Sequence, residues 1–341
     1  MRILVVLTGG TIGSIVEGTT IDVREASAYN LINLYEEKYG TDIDFDIIKP
    51  YNILSENLEP GCWVKLCKCI DETDVSKYDG IIITHGSDTL AYTSALLGYC
   101  YHQMEIPMIL VAANYALEDA RSNGLINFYH AVCLIREKKV KGVFTVYQND
   151  KKENIVYLAT RIKEADTFAD RFSVYGYVDF GKMVDGKLVL NQHPQNPTPD
   201  ELQHSTDRKR ITLKEYKKKI LMIRPYPGLN YDSIALSEEI GAVLHCLYHS
   251  ATASSLPGNT SAVRFMESCK EKEIPVYLAS FKKTAEKLYA TSKELLKTGA
   301  IPLVNISEEA AYTKLVLAYN QQETEPVKFM NENIYHEMLL R

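Results

Sequence analysis

The alternation of short β-branched runs with amphipathic stretches limits the folds open to this chain more than any other feature. Residues 3–7, 43–48, 80–84, 107–112 and 141–147 read as strands. Between them, Trp63, Leu66, Cys67 and Ile70 recur at the i, i+3, i+4, i+7 spacing of one helix face. Strands separated by helices cannot pair through tight hairpins. Each must return by a crossover, which gives a parallel sheet with helices on both faces. Residues 193–212 break the rhythm: Pro194, Pro197 and Pro199 stand among Asn, Gln, Asp and Ser, the composition of an exposed connection. The pattern then resumes in smaller form, with strands at 219–223, 242–247, 275–279 and 301–304. The expected architecture is α/β. A larger, mostly parallel N-terminal sheet flanked by helices spans 1–192, a linker spans 193–212, and a smaller α/β domain spans 213–341.

Composition removes several functional classes. A chain of 341 residues can bury two cores, and a charged fraction of 24% excludes a wholly disordered one. The net charge of -6, from 38 basic and 44 acidic side chains, gives no general attraction to nucleic acid or anionic membranes. The basic stretch from Arg208-Lys209-Arg210 to Lys217-Lys218-Lys219 is diluted by Asp207 and Glu215 and lacks an aromatic stacking pattern. It reads as solvated surface, so neither a nucleic-acid nor a membrane partner is expected. The first apolar run stops at Thr8-Gly9-Gly10, too short for a signal-peptide core, and no run is long enough to span a bilayer. The seven scattered cysteines read as reduced core residues of a cytoplasmic protein. Cys67 and Cys69 have no second pair or nearby histidine, so no zinc site is expected.

In open parallel sheets ligands bind at the carboxyl ends of strands. Two loops placed there are unusual. Thr8-Gly9-Gly10-Thr11-Ile12-Gly13-Ser14 follows the first strand and is neither a dinucleotide fingerprint nor a P-loop. Its paired glycines allow a sharp turn that exposes amide N–H groups, and its hydroxyls are possible nucleophiles. Thr84-His85-Gly86-Ser87-Asp88-Thr89 follows the strand at 80–84 and leads into a helix starting near Leu90. Taken alone, Ser87 or Asp88 reads as that helix's N-cap. Taken together, the loops offer hydroxyl nucleophiles, a carboxylate and a helix N-terminus in one crevice.

Thr8-Gly9-Gly10-Thr11-Ile12 and His85-Gly86-Ser87-Asp88-Thr89 resemble the two signature segments of the bacterial-type L-asparaginase/glutaminase family. Tyr78-Asp79-Gly80 before the second segment and Ala91-Tyr92-Thr93 after it extend the likeness. Leu117-Glu118-Asp119-Ala120-Arg121-Ser122-Asn123-Gly124, with Asn127, resembles the Arg-Ser-Asp-Gly segment of the cytosolic type I branch. The resemblance implies hydrolysis of a side-chain amide to acid and ammonia through an acyl-enzyme, on L-asparagine or a related amino-acid amide. It carries the nucleophile onto Thr11, and proton movement and water activation onto Ser87, Asp88 and Lys163. Ser55 and Glu56, with Asp88, match the positions that hold the substrate's α-carboxylate and α-amino groups. Lys163 stands nine residues before Phe172, the family's spacing, and Arg161 competes for the assignment. No metal or organic cofactor is implied, and a homodimer or dimer of dimers is. His85 is expected to support the strand end and point away from the crevice.

The chemistry agrees with this assignment. A threonine hydroxyl needs a base or charged relay to become a nucleophile, and a lysine beside Asp88 supplies one if burial lowers its pKa. The backbone N–H groups of Thr11 and Ser87 are natural oxyanion donors.

The sequence departs from the family at several places. The family places a tyrosine in the first loop, but no tyrosine lies between Thr8 and Ala28 in a chain with 23 of them. Thr19 or Thr20 there cannot match a phenol's reach or acidity. Ser87 stands for the usual threonine, Asn123 for the aspartate of Arg-Ser-Asp-Gly, and Asn114 near a position where type I has Gln. Ser250-Ala251-Thr252-Ala253-Ser254 replaces a Gly-x-Gly-Asn turn that commonly reaches a neighbouring subunit's site. The leading expectation is a divergent amidohydrolase. The alternative is a catalytically impaired amino-acid binder or regulatory subunit. The asparaginase-like subunit of a tRNA-dependent amidotransferase ranks last, since that protein carries an added N-terminal domain and the first signature here begins at Thr8.

Overall fold

The computed structural model describes residues 1–17, 20–23, 25–203, 210–281, 287–321 and 325–339, with residues 13–17, 20–23, 25–29 and 203 described by their backbone alone. Chain contacts divide it into two compact units, Met1–Lys214 and Glu215–Arg341.

The first unit runs β1 (Arg2–Leu7), a hairpin of β2 (Ser14–Glu17) and β3 (Thr20–Val23), α1 (Glu25–Tyr39), β4 (Asp44–Ile48) and α2 (Pro60–Asp71). It continues β5 (Gly80–Thr84), α3 (Leu90–Tyr101), β6 (Pro107–Val111), α4 (Gly124–Glu137), β7 (Gly142–Gln148) and β8 (Asn154–Leu158). The hairpin of β9 (Ile162–Ala165) and β10 (Phe172–Val174), then β11 (Gly181–Val184), β12 (Lys187–Leu190) and α5 (Pro199–Gln203), complete it. Among the described residues one eight-stranded sheet has the order β12-β11-β8-β7-β6-β5-β1-β4. The five strands β4, β1, β5, β6 and β7 are parallel, as the alternating pattern requires. Beyond β7 the sheet turns antiparallel through β8, β11 and β12.

Every residue of β5 and β6 is buried, so their sequences are continuous apolar runs instead of alternating ones. Helix α3 is buried nearly all round, and Tyr92 is the one residue in it that is not. Its apolar start, Leu90 and Ala91, packs with Ile162 and Phe172 of the β9–β10 hairpin. Tyrosines fill the interface between α1 and α4: Tyr39 stacks on Tyr129 at 4.2 Å, and Tyr35 meets Phe128 edge-on at 5.5 Å.

Helix α2 shows the face expected from its spacing, with Trp63, Leu66, Cys67 and Ile70 all buried. Pro60 opens it at a position that lacks a helical hydrogen bond in any case. Residues 195 and 196 pack on the first unit through the buried Arg161, whose Nη2 donates to the Gln195 carbonyl (2.8 Å) and Nη1 to Asn196 Oδ1 (3.2 Å). In the basic stretch Arg210 pairs with Asp71, Lys217 with Glu215 and Lys219 with Glu239. No helix among the described residues is long and apolar enough to cross a membrane.

The second unit is a four-stranded parallel sheet of β13 (Lys219–Ile223), β14 (Ile240–Cys246), β15 (Val276–Phe281) and β16 (Ile301–Val304) in that order. Helices α6 (Ala262–Glu271), α7 (Ala290–Lys297), α8 (Glu308–Asn320) and α9 (Pro326–Asn331) accompany it. Ser261 and Ser307 cap α6 and α8, accepting from the amides of Arg264 (3.3 Å) and Ala310 (3.1 Å).

Lys314 of α8 and Glu337 form an ion pair of 2.6 Å in which both side chains are fully buried. The ammonium also donates to the carbonyls of Met330 and Glu332. The carboxylate accepts from the backbone N–H groups of Ile334 (3.0 Å) and Tyr335 (2.8 Å). Burial alone would raise the Glu337 carboxyl, but Lys314 and the two amides outweigh it and hold it below its ordinary value. Because the folded value is depressed, this stabilisation is complete above the unfolded-state value of about 4 and disappears as pH falls through the lowered one. Lys314→Met or Glu337→Leu alone should cost about 3–5 kcal/mol in urea unfolding followed by circular dichroism, and the double substitution much less. Additive losses would show that the two charges are not coupled.

Candidate active site

The chain leaves β1 for β4 on one side, then crosses to β5 on the other, so strand order reverses between β1 and β5. Such a reversal opens a crevice at the strands' carboxyl ends. Both glycine-hydroxyl loops emerge there, joined by the loop after β4.

These three loops touch through their backbones. Gly10 N–H donates to the Ile53 carbonyl (3.0 Å) and Ile53 N–H to the Thr8 carbonyl (3.2 Å). A Cβ on Gly10 would lie 2.3 Å from the Gly86 nitrogen, and Gly10 has φ +77°. A Cβ on Gly86 would lie 2.3 Å from Ser55 Oγ. Thr8 Oγ1 donates to the Thr84 carbonyl (2.6 Å) and Thr89 Oγ1 to the Ser55 carbonyl (3.0 Å). The glycines are therefore required by close approach as well as by turn geometry.

The expected helix cap is not made. No side chain caps α3; Thr89 occupies the cap position and turns its hydroxyl to Ser55. Ser87 and Asp88 are thus not used as caps, because the loop contact with Ser55 takes priority over local capping.

Ser55 is buried, Thr11, Ser87 and Lys163 are half-buried, and Glu56 and Asp88 are exposed. The side chains of Thr11, Glu56, Ser87, Asp88 and Lys163 make no hydrogen bond or ion pair with one another. Partial burial of the carboxyl, then the neighbouring Glu56 carboxylate, raises Asp88 above its ordinary value. The structure therefore brings together the Thr8–Gly10 turn, Ser55 and Gly86, and sets Glu56 beside Asp88. It does not pair Lys163 with Asp88. The residue after Lys163, Glu164, accepts from Tyr92 Oη of α3 at 2.5 Å. Arg161, the competing cation, is committed to residues 195 and 196. The side chains at Glu17–Ile21, where the missing tyrosine would stand, lie outside the described residues.

His85 points away from the crevice and is buried, which pushes its imidazolium down to about 4. The Gly86 carbonyl, 2.8 Å from Nδ1, can only accept, so Nδ1 carries the proton. Nε2 then accepts from Thr93 Oγ1 (2.9 Å), which accepts from the Trp63 indole N–H (2.9 Å).

A family model described as asparaginase, N-terminal, matches residues 2–196, more than half of the sequence. The chain belongs to the asparaginase family. The fold agrees: it superposes on the thermostable L-asparaginase from Thermococcus kodakarensis with a TM-score of 0.80 at 22% identity, covering 100% of both chains. L-asparaginase I from Vibrio cholerae gives 0.76 at 23% identity, covering 99% of each. Among curated relatives, the D subunit of glutamyl-tRNA(Gln) amidotransferase from Methanococcus vannielii is 27% identical, over 92% of this chain and 74% of the relative. The corresponding protein of Methanobrevibacter smithii is 24% identical, over 98% and 76%.

Within this asparaginase-like frame the asparagines that depart from the family have structural partners. Asn114 and Asn123 form a reciprocal pair, each side-chain oxygen accepting from the other's backbone N–H at 2.9 Å. Asn123 Nδ2 also donates to the Gln148 carbonyl (2.8 Å), which an aspartate could not do. Asn114 Nδ2 reaches Asp170 Oδ2 (2.8 Å) in the β9–β10 connection. In the second unit Ala251 and Ala253 of the altered turn are buried in the core, and Ala251 adopts φ +60°. Sequence reasoning missed Trp63 and Thr93 as partners of the second signature. Thr93, eight residues after His85, lies in the first turn of α3, the helix that the second signature leads into. Trp63 carries no local signal, since its link to Thr93 is made only by packing of α2 on α3.

The Gly10–Gly86 contact is open to test. Gly10→Ala meets backbone that cannot yield and should lose at least about 2 kcal/mol of stability, measured by urea unfolding. Gly86→Ala meets a serine side chain, so Ser55→Gly should restore part of its loss. Equal, uncoupled losses would contradict the contact.

Proposed function

We propose that this protein is an amidohydrolase that cleaves the side-chain amide of L-asparagine or a related amino-acid amide, with Thr11 as nucleophile. The observation that carries the reading is the convergence of the Thr8–Gly10 and Gly86–Ser87 turns on the switch point between β1 and β5. Thr11 Oγ attacks the amide carbonyl, its proton passes to the departing nitrogen, and ammonia leaves an ester on Thr11. Water then adds to the ester carbon, returns a proton to Thr11 Oγ and releases the acid. The N–H groups of Thr11 and Ser87 donate to no described residue and suit the oxyanion. Ser87, Asp88 and Lys163 move protons, and Lys163 closes on Asp88 when substrate is bound, since catalytic contacts are often long in the free enzyme. Glu56 and Asp88 form an anionic pair for the substrate's α-ammonium, and Ser55 lies beside it for the α-carboxylate. The chain acts in the cytoplasm as a homodimer or dimer of dimers, with no metal or organic cofactor.

A second reading is favoured by the absence of an ion pair between Lys163 and Asp88 and by the amidotransferase relatives. In it the chain binds an amino acid without turnover, as a regulatory or partner-dependent subunit. An ammonia-release panel with L-Asn, D-Asn, L-Gln and β-aspartyl amides separates the two. Hydrolysis requires release that Thr11→Val abolishes. Thermal stabilisation by L-Asn or L-Asp without any release would select the second reading.

The KM carries its own signature. Asp88 must be ionised to hold an ammonium, and its raised pKa means that KM for the amide should rise as pH falls, starting above the range of an ordinary aspartate. Asp88→Asn should raise KM and flatten that dependence. An unchanged pH profile in the variant would remove Asp88 from ammonium binding.

A further inference from the structure

The hydrogen-bond chain that starts at Trp63 ends on the peptide whose N–H the reaction needs. His85 Nδ1–H holds the Gly86 carbonyl on the interior side of the turn at 2.8 Å. In a trans peptide the C=O and the following N–H point in opposite directions. Fixing the Gly86 carbonyl inward therefore fixes the Ser87 N–H outward, where it donates to no described residue. His85 is in turn held by two helices. Thr93 of α3 donates to Nε2 at 2.9 Å, and Trp63 of α2 donates to Thr93 at 2.9 Å. All three side chains are buried, with exposures of 2%, 0% and 3%, so water does not compete for these bonds.

We propose that Trp63, Thr93 and His85 are positioning residues that aim the Ser87 N–H at the developing oxyanion by holding the Gly86 carbonyl. Without the chain Gly86, which has no side chain to restrict its ψ, lets the peptide rotate. The donor is then lost without removal of any group that touches substrate. His85 transfers no proton in this role, since both of its nitrogens are committed. The kinetic part rests on the hydrolytic reading above, and the orientational part does not.

The test uses the full chain with His85→Leu, which removes the donor, and His85→Asn, whose amide N–H can take the place of Nδ1–H. Thr93→Val breaks the chain one link earlier and serves if His85→Leu fails to fold. Crystal structures of the variants should show the Gly86–Ser87 peptide rotated in His85→Leu and retained in His85→Asn. Because Trp63 is the sole tryptophan, its emission should also shift in Thr93→Val. In ammonia-release assays His85→Leu should lose about tenfold or more in kcat with KM changed less than about twofold, and His85→Asn should recover most of the loss. A Gly86 carbonyl that keeps its orientation in both His85→Leu and Thr93→Val overturns the proposal. So does a variant that loses thermal stability at unchanged kcat. If the wild type turns over no amide, the hydrolytic reading fails and the peptide orientation alone decides this one.

Discussion

The site depends on one steric constraint, the approach of Gly10 to Gly86 without room for a methyl group between them. Dispersion contacts of this kind are individually weak, but here they are made by backbone, which cannot move aside as a side chain can. The contact sets the spacing of the two signature loops and, through Ile53 and Ser55, of the loop after β4. Thr11 leaves one side of the contact and Ser87 the other. Their separation is thus fixed by the sheet, since β1 and β5 are hydrogen-bonded neighbours. The hydrophobic burial that stabilises the sheet also aligns the reactive groups.

Polar groups in the interior do the finer alignment. A buried amide or imidazole must find partners, and the few geometries that satisfy it are specific. The reciprocal bonds of Asn114 and Asn123 bind the end of β6 to the start of α4 as a short ladder would. Asn127 adds the end of β7 through Gln148 N–H, at 2.7 Å. Two of these three asparagines stand where the sequence departs from its family. The departures are accommodated because an amide both donates and accepts, and each of these uses both capacities.

Much of the fold could be read from the sequence, because strands and buried helix faces are set by local periodicity. The strands at 80–84, 219–223 and 301–304 lie where the apolar runs place them, and the face of α2 is the one its spacing defines. The two loops could also be read, since glycines grouped with hydroxyls after a buried strand mark a tight turn with polar groups at the sheet's carboxyl edge. Features that depend on distant residues could not. The cap expected of Ser87 or Asp88 is displaced by Thr89 bonding to Ser55, 34 positions away. The antiparallel pairing of β8 with β7 and β11 has no local sign, whereas the β11–β12 hairpin does have one, the two-residue turn Asp185-Gly186, which the sequence reading passed over. The link from Trp63 to His85 spans two helices, and no pattern within either one records it.

The buried Lys314–Glu337 pair has a consequence for the order in which the chain folds. A solvated lysine has no cost in an unfinished chain, but an ammonium enclosed by α8 without its carboxylate is strongly disfavoured. Closing the second unit's core before Glu337 has been synthesised would therefore carry the cost of an uncompensated ammonium. Among the described residues no such pair spans the parallel strands of the first unit, where β4 and β5 pair on either side of β1 and β6 and β7 each add to the edge left by the strand before. Synthesis thus favours a sequence in which the unit carrying the reactive loops settles first and the other closes last. C-terminal trimming that removes Glu337 would leave Lys314 enclosed without its partner and the second unit open more of the time, and so more exposed to degradation.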